Sequence, residues 1–190
     1  PEIKRELAEA AILKTRNEDW DLAEEIWMAL QGFDPEDVAI TVNMALFFDQ
    51  KADSYRRSGL DEDADAYDDS ALNYYKQAMS AEPEVPDAFF NAAYFYLKKN
   101  DFVNTKSCLE TYLALTVDVK DEELGENGTM MKEQAQELIQ KINSRSLEDQ
   151  QFKKAYDLIC HGKEEEGLEE IRQFLLTHPM VWNAWFLLGW

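Results

Sequence analysis

Residues 71–83 of this 190-residue chain read ALNYYKQAMSAEP, with Tyr75 four positions and Pro83 twelve positions after Ala71. The same order of a small residue, a large residue and a proline recurs twice at the same spacing: Ala23, Trp27 and Pro35, then Gly167, Ile171 and Pro179. Further small residues fall in phase with these phrases: Ala11, Ala45, Ala93, Thr105, Ala155 and Gly189. The intervals define a repeat of about 34 residues, a length typical of two-helix repeats.

This spacing has a physical reason in the packing of helices. Two antiparallel helices approach closely only where a small side chain faces its neighbour, so a hairpin needs one small residue in each helix. A large side chain one turn later fills the space beside it, and proline ends the second helix because it cannot continue the hydrogen bonding. The pattern predicts an all-α chain of stacked helical hairpins, and the low content of seven glycines and five prolines agrees with long helices.

These residues make the chain resemble the tetratricopeptide repeat (TPR) family, whose pattern W-x2-L-G-x2-Y…A-x3-F…P has the same period. Trp185, Leu188 and Gly189 match the opening of that pattern. The resemblance implies an all-α, right-handed superhelical solenoid of antiparallel helix hairpins. It implies a single TPR-like array over residues 1–190 with these parts: repeats 4–37, 38–85 (elongated) and 86–119, an insertion 120–147, a repeat 148–181 and the start of a further repeat 182–190.

Two segments depart from the repeat. The repeat 38–85 is longer than the others, and we expect both of its helices to be extended by about two turns, to roughly 37–58 and 64–81. The insertion belongs to no repeat. There we expect an acidic loop over 120–128 and an extra amphipathic helix over 129–142, where apolar residues recur with helical spacing.

The charge of the chain restricts its partners. Its 39 Asp and Glu residues against 19 Lys and Arg give a net charge of −20 at pH 7, which repels phosphate backbones and anionic lipid. We therefore expect no nucleic acid and no membrane, but a protein or peptide partner that is basic or apolar. Two cysteines cannot form a disulfide framework, and we expect a cytoplasmic protein. Because the chain begins with Pro1 rather than Met, we expect it to be processed or excised from a longer protein.

An aromatic stripe is the first candidate binding surface. Phe90 and Tyr94 lie four positions apart in one repeat, and Phe152 and Tyr156 occupy the equivalent places in another. Residues four apart share a helix face, and in the TPR family these positions line the concave groove that binds extended or helical peptides. The resemblance therefore implies that these four residues line a peptide-binding groove in a non-catalytic protein–protein interaction module.

Two asparagines complete the expected groove, since Asn43 and Asn91 are placed to hydrogen-bond the backbone of a bound peptide. Some TPR proteins bind chaperone C-termini through a basic carboxylate clamp, but Asp87 and Asp149 stand at clamp positions here and would repel a carboxylate. The alternative is that the stripe is core, or is plugged by the inserted helix. The chain would then be a structural or assembly segment of a longer repeat protein.

The acidic run 61–69 has the spacing of several calcium ligands. However, Ala66 stands where a calcium loop needs glycine, and Leu72 stands where it needs a bidentate glutamate. Acids at the start of a helix beginning near Asp63 would instead be stabilised by the helix dipole. We therefore expect no calcium regulation and no bound metal.

No group of residues predicts catalysis. Cys160 and His161 are adjacent, and adjacent side chains on a helix point about 100° apart, so they cannot face each other as a nucleophile and its base. We expect a buried cysteine and a surface histidine. The chain has neither a glycine-rich phosphate loop nor a recognisable catalytic triad motif. The sequence predicts no enzyme and no cofactor.

The C-terminal residues 182–190 open a hairpin whose second helix is missing, and they are apolar nearly throughout. The end of a helical repeat array needs a polar outer face. Either the chain is cut inside a longer array, or this segment docks on a second copy or on another protein. The residues that would mediate self-association are Trp182, Trp185, Phe186 and Trp190.

Overall fold

The computed structural model describes residues 2–180, 184, 185 and 188, with side chains described outside 121–126 and 146–149. These residues form eight α-helices and no strand, which confirms the all-α prediction. The helices are α1 (Glu2–Arg16), α2 (Trp20–Phe33), α3 (Val38–Arg57), α4 (Asp61–Met79), α5 (Pro86–Lys98), α6 (Phe102–Thr116), α7 (Asp121–Cys160) and α8 (Glu164–Thr177). Within the described ranges, no helix combines the length and the apolar character needed to cross a bilayer.

The chain divides into two compact units, an N-terminal unit (Pro1–Ala135) and a C-terminal unit (Gln136–Trp190). In the N-terminal unit each helix from α1 to α6 contacts the next, most extensively within the pairs α1–α2, α3–α4 and α5–α6. In addition, α1 contacts α3 and α3 contacts α5. The N-terminal unit therefore consists of successive helical hairpins whose first helices also lie against one another.

The small residues of the repeat lie where the helices pack most closely. Seven of them are fully buried, with no exposed surface: Ala11, Ala23, Ala45, Ala71, Ala93, Thr105 and Ala155. The large residues one turn later are also buried, since Trp27, Tyr75, Leu109 and Ile171 are at most 2% exposed. The predicted packing role of both sets is confirmed, while Gly189 lies outside the described residues.

A second regularity lies in the turns between paired helices. Glu18, Gly59, Asn100 and Gly162 all have a positive φ, between 58° and 78°. Each stands two residues before the second helix of its pair, which begins at positions 20, 61, 102 and 164. This left-handed conformation suits glycine and asparagine and is less usual for glutamate. The four hairpins therefore share one turn geometry, although only two of the turns contain glycine.

The second hairpin is elongated, as predicted. Its helices α3 and α4 contain 20 and 19 residues, against 13 to 15 in α1, α2, α5 and α6. The helix α4 begins at Asp61, somewhat before the expected start, and its first turn carries Asp61, Glu62 and Asp63. Negative side chains are stabilised at a helix N-terminus by the helix dipole. The acidic run is therefore the beginning of α4.

The predicted loop over 120–128 is wrong. Helix α7 begins at Asp121 and continues for 40 residues, so the expected helix 129–142 and the first helix of the repeat 148–181 are parts of one helix. The segment contains Gly125 and Gly128, but glycine inside a helix costs only about 1 kcal/mol relative to alanine. No proline interrupts the segment, and proline is the residue that breaks helices decisively.

Candidate functional site

Helix α5, which has Pro86 in its first turn, carries three of the predicted groove residues: Phe90, Asn91 and Tyr94. The centroid of the Phe90 ring lies 5.1 Å from that of the Tyr94 ring and 5.0 Å from that of the Tyr112 ring on α6. Phe90 is 9% exposed, whereas Tyr94 is 39% exposed. Phe90 is therefore mainly a core residue that supports Tyr94, and Tyr94 presents an accessible aromatic surface.

Phe90, Asn91 and Tyr94 belong to one wall of a cleft of about 390 Å³ in the N-terminal unit. The cleft is lined by Leu46, Asp49 and Asp53 of α3, Tyr75 of α4, and Phe90, Asn91, Tyr94, Phe95 and Lys98 of α5. Its walls therefore combine apolar and aromatic surface with charged groups. This is the usual composition of a site that binds by apolar contact and orients its ligand with a few polar groups.

The charged end of the cleft is an ion-paired group that the sequence reasoning missed. The ammonium group of Lys98 donates to both carboxylate oxygens of Asp53 at 2.9 Å, and it also donates to Asp49. Asp49 and Asp53 are one turn apart on α3, a spacing visible in the sequence. Their pairing with Lys98, 45 or more positions away, exists only because α3 lies beside α5.

Burial and the neighbouring charges shift the pKa values of Asp49 and Lys98 in opposite directions. Burial raises the pKa of the Asp49 carboxyl above its ordinary value, and the hydrogen bond from Lys98 only partly offsets this effect. Burial lowers the pKa of Lys98, but the hydrogen bonds and charges of the two carboxylates outweigh it, so that pKa is raised. Lys98 therefore stays protonated, while Asp49 binds a proton more readily than a free aspartate does.

No family model matches this chain, and no curated protein matches it. The resemblance to TPR proteins therefore rests on the spacing of residues in the sequence.

The two predicted asparagines make hydrogen bonds inside their own helices. The side-chain amide of Asn43 donates to the carbonyl oxygen of Ala39 at 2.8 Å, and that of Asn91 donates to the carbonyl oxygen of Asp87 at 2.7 Å. Each bond uses one of the two N–H groups of the amide. Asn91 lines the cleft, whereas Asn43 is not among its lining residues.

The other two predicted groove residues belong to α7 and to the C-terminal unit. Phe152 packs against the buried cluster that contains Ile171 and Phe174, with its ring centroid 6.4 Å from that of Phe174. Tyr156 is 47% exposed, and a hydrogen bond with Cys160 raises the pKa of its hydroxyl. In the C-terminal pair, the partly buried ring of Phe152 packs against the buried cluster, while the ring of Tyr156 is accessible.

The structure corrects the expectation for one of the two cysteines. Cys108 is buried and Cys160 is exposed, and both are free; the expectation of a buried Cys160 is wrong because this residue ends α7 beside a turn. Across the described part of the chain, no cluster of three or more His, Cys, Asp or Glu residues could hold a metal ion. Asp65 and Asp68 of the acidic run accept hydrogen bonds from Arg56 at 2.7 and 2.8 Å.

Proposed function

We propose that this chain is a non-catalytic protein–protein interaction module, a TPR-like right-handed solenoid that binds a peptide or helix of a partner in its concave groove. In this proposal the protein uses no cofactor and works in the cytoplasm, where its two free cysteines stay reduced. The anchors of the partner contact Phe90, Tyr94, Phe152 and Tyr156. Asn43 and Asn91 supply hydrogen bonds.

Two features of the backbone support the stacked-hairpin part of the proposal. The contacts of α1 with α3 and of α3 with α5 are those expected where successive hairpins place their first helices in one layer. The positive-φ residue that precedes the second helix of every hairpin is a structural repeat in its own right. These observations do not depend on the sequence motif.

The observation that carries the binding proposal is the cleft between α3 and α5. Its aromatic wall includes the accessible ring of Tyr94, which is 39% exposed. Tyrosine is among the residue types that most often dominate binding at interfaces, and ligand sites are usually concave and lined by apolar and aromatic side chains. All of the lining residues belong to α3, α4 and α5, so no residue from 129–142 is needed to form its walls.

Panning a random peptide library against the chain tests this function. We expect enriched peptides to share a motif and to bind the Tyr94→Ala variant about tenfold or more weakly, because tyrosine is enriched among the interface residues whose truncation removes more than about 1 kcal/mol of binding energy. Val103→Ala is the control, since Val103 is 80% exposed on the paired helix α6 and lies outside the cleft. Enriched peptides that bind both variants equally would place the binding surface elsewhere.

The alternative function, a structural or assembly segment, has an observation of its own. In the C-terminal unit Trp185 is 52% exposed, Leu176 is 77% exposed and Met180 is 91% exposed. The indole N–H of Trp185 donates to the carbonyl oxygen of Pro179 at 2.9 Å. Large exposed apolar side chains grouped together are typical of association surfaces. The other predicted contacts, Trp182, Phe186 and Trp190, lie outside the described residues.

Sedimentation velocity over a range of concentrations tests this alternative. An assembly segment is expected to form a concentration-dependent dimer that Trp185→Ser weakens about tenfold or more, since an exposed tryptophan is a frequent energetic centre of interfaces. Val103→Ser should leave the association unchanged because Val103 belongs to the N-terminal unit. A chain that sediments as a monomer at all concentrations argues against the assembly role.

A further inference from the structure

The cleft has an apolar end and a charged end, arranged in the same order on both of its main helices. On α5, Phe90, Tyr94 and Lys98 follow one another at intervals of four and so share a helix face. On α3, Leu46 precedes Asp49 and Asp53 on the lining face. A ligand that lies along the cleft therefore meets aromatic surface first and carboxylates about one turn further on.

The charged end carries two carboxylates and one ammonium group. Lys98 is 36% exposed and Asp53 is 41% exposed, so both can be reached from solvent. Each carboxylate has two oxygens that can accept several hydrogen bonds, and the pair retains one negative charge beyond the one that Lys98 neutralises. The whole chain, with a net charge of −20, adds to the attraction for a cation. The side chain of Asp49 is 18% exposed, and charges interact more strongly in such a partly desolvated setting than in bulk water.

The distance between the two ends suggests the spacing of the ligand's side chains. Tyr94 and Lys98 are four residues apart on a helix, which is about 6 Å along its axis. Two residues of an extended peptide advance by about 6.6 Å, and their side chains point to the same face. An apolar side chain on the ring of Tyr94 would therefore place the side chain two residues later at the carboxylates.

We propose that the cleft selects an extended peptide in which an apolar residue is followed two positions later by arginine or lysine. The peptide's cation binds Asp49 and Asp53, in competition with Lys98. This inference rests on the proposed function and adds the chemistry of its ligand. Lys98 acts as an internal substitute for the ligand's cation, so it keeps the carboxylates paired in the free protein and lowers the affinity for basic peptides.

The test uses two fluorescein-labelled peptides, Gly-Ser-Leu-Ser-Arg-Ser-Gly and the same peptide with glutamine in place of arginine, titrated by fluorescence anisotropy at low salt. We expect the arginine peptide to bind about tenfold more tightly, because a charge-assisted pair with a partly buried carboxylate contributes roughly that much. Asp53→Asn should reduce this preference to about twofold. Lys98→Met should increase the affinity for the arginine peptide about tenfold by removing the competing cation.

The matched control is Asp63→Asn, which removes the same charge from an exposed position on α4 outside the cleft and should preserve the preference. Equal binding of the two peptides, or a preference that survives Asp53→Asn, overturns the inference. If Lys98→Met is misfolded by circular dichroism, Asp53→Asn decides alone. If neither peptide binds while panning still yields peptides that need Tyr94, the inference is wrong and the proposed function stands. If panning also yields none, both fail.

Discussion

Replacing Gly167 by leucine is expected to destabilise the C-terminal unit by about 3 kcal/mol, because there is no space for a side chain at this position. A Cβ atom at Gly167 would lie 2.6 Å from Cγ1 of Ile159 and 2.9 Å from the backbone carbonyl oxygen of Ala155. A backbone atom cannot move aside as a flexible side chain can, so α8 would have to separate from α7. This separation would open the small buried cluster of the C-terminal unit, which is formed around Ala155 and Ile171.

The matched control is Gly32→Leu, at a helical glycine where an added Cβ would meet no atom within 4 Å beyond its chain neighbours and the nearby backbone of its own helix. There we expect no loss, and a gain of up to about 0.5 kcal/mol from the higher helix propensity of leucine. Hydrogen exchange measured by mass spectrometry on peptides from 164–177 reports the stability of α8 directly. Unchanged protection of α8 in Gly167→Leu would contradict the close approach of the two helices.

The second large effect is expected at an ion pair that joins the first two hairpins and in which only the lysine is buried. The side chain of Lys51 on α3 is 5% exposed, and its ammonium group donates to the carboxylate of Glu24 on α2 at 2.7 Å. The same ammonium group lies 4.4 Å from the centre of the Tyr67 ring. Glu24→Gln leaves this buried charge without its counter-ion, which costs about 3 to 5 kcal/mol in fully buried pairs. Because Glu24 is 36% exposed and the ring remains, we expect about 2 kcal/mol here.

Two further variants distinguish the effect of the unpaired charge from the effects of packing and of an ordinary surface substitution. Lys51→Met should change the stability by less than about 1 kcal/mol, since an unbranched apolar chain fits among aromatic rings and Glu24 can be solvated. Glu25→Gln makes the same change at the neighbouring exposed position and should be neutral within about 0.5 kcal/mol. Protection of α3 against hydrogen exchange, measured on peptides from 38–57, provides the readout. A Lys51→Met variant as damaged as Glu24→Gln would show that the charge itself is needed.

The pair also predicts a pH dependence. Burial lowers the pKa of Lys51, but the hydrogen bond and charge of Glu24 outweigh it and hold that pKa above its ordinary value of 10.5. A raised pKa in the folded state means that the pair's contribution is complete below pH 10.5 and is lost as the pH rises through the folded-state value. The difference in stability between the unmutated chain and Lys51→Met should therefore shrink in strongly alkaline solution.

The elongated hairpin shows why part of this structure could not be read from the sequence. Its extra length was predicted, but the partners of its polar residues were not. Lys51 pairs with Glu24 in the preceding hairpin, while Asp53 pairs with Lys98 in the following one. These pairs are 27 and 45 positions apart, and nothing in the local pattern selects them among the chain's many charges. The extra turns thus connect the second hairpin to both neighbours.

The sequence by itself determined the positions of close helix packing, because a small residue can be recognised wherever two helices must touch. Ala23, Ala71 and Ala93 were identified from spacing alone, and all three are fully buried. The pattern also identified Phe90 and Tyr94 as members of one surface. Only the tertiary structure decided that Tyr94 is accessible while Phe90 is core, since that depends on which helices pack around α5.

The continuity of α7 is the clearest case of a feature that the local sequence did not determine. Its glycines are weak local signals against a helix, and a difference of about 1 kcal/mol per residue is easily overcome by the rest of the chain. The cleft likewise exists only because α3 and α5 lie side by side and bring Leu46, Asp53 and Lys98 to one place. Local spacing is set by the geometry of a single hairpin and can be read from the sequence. The charges that meet between hairpins are set by their stacking, and stacking is a property of the folded chain.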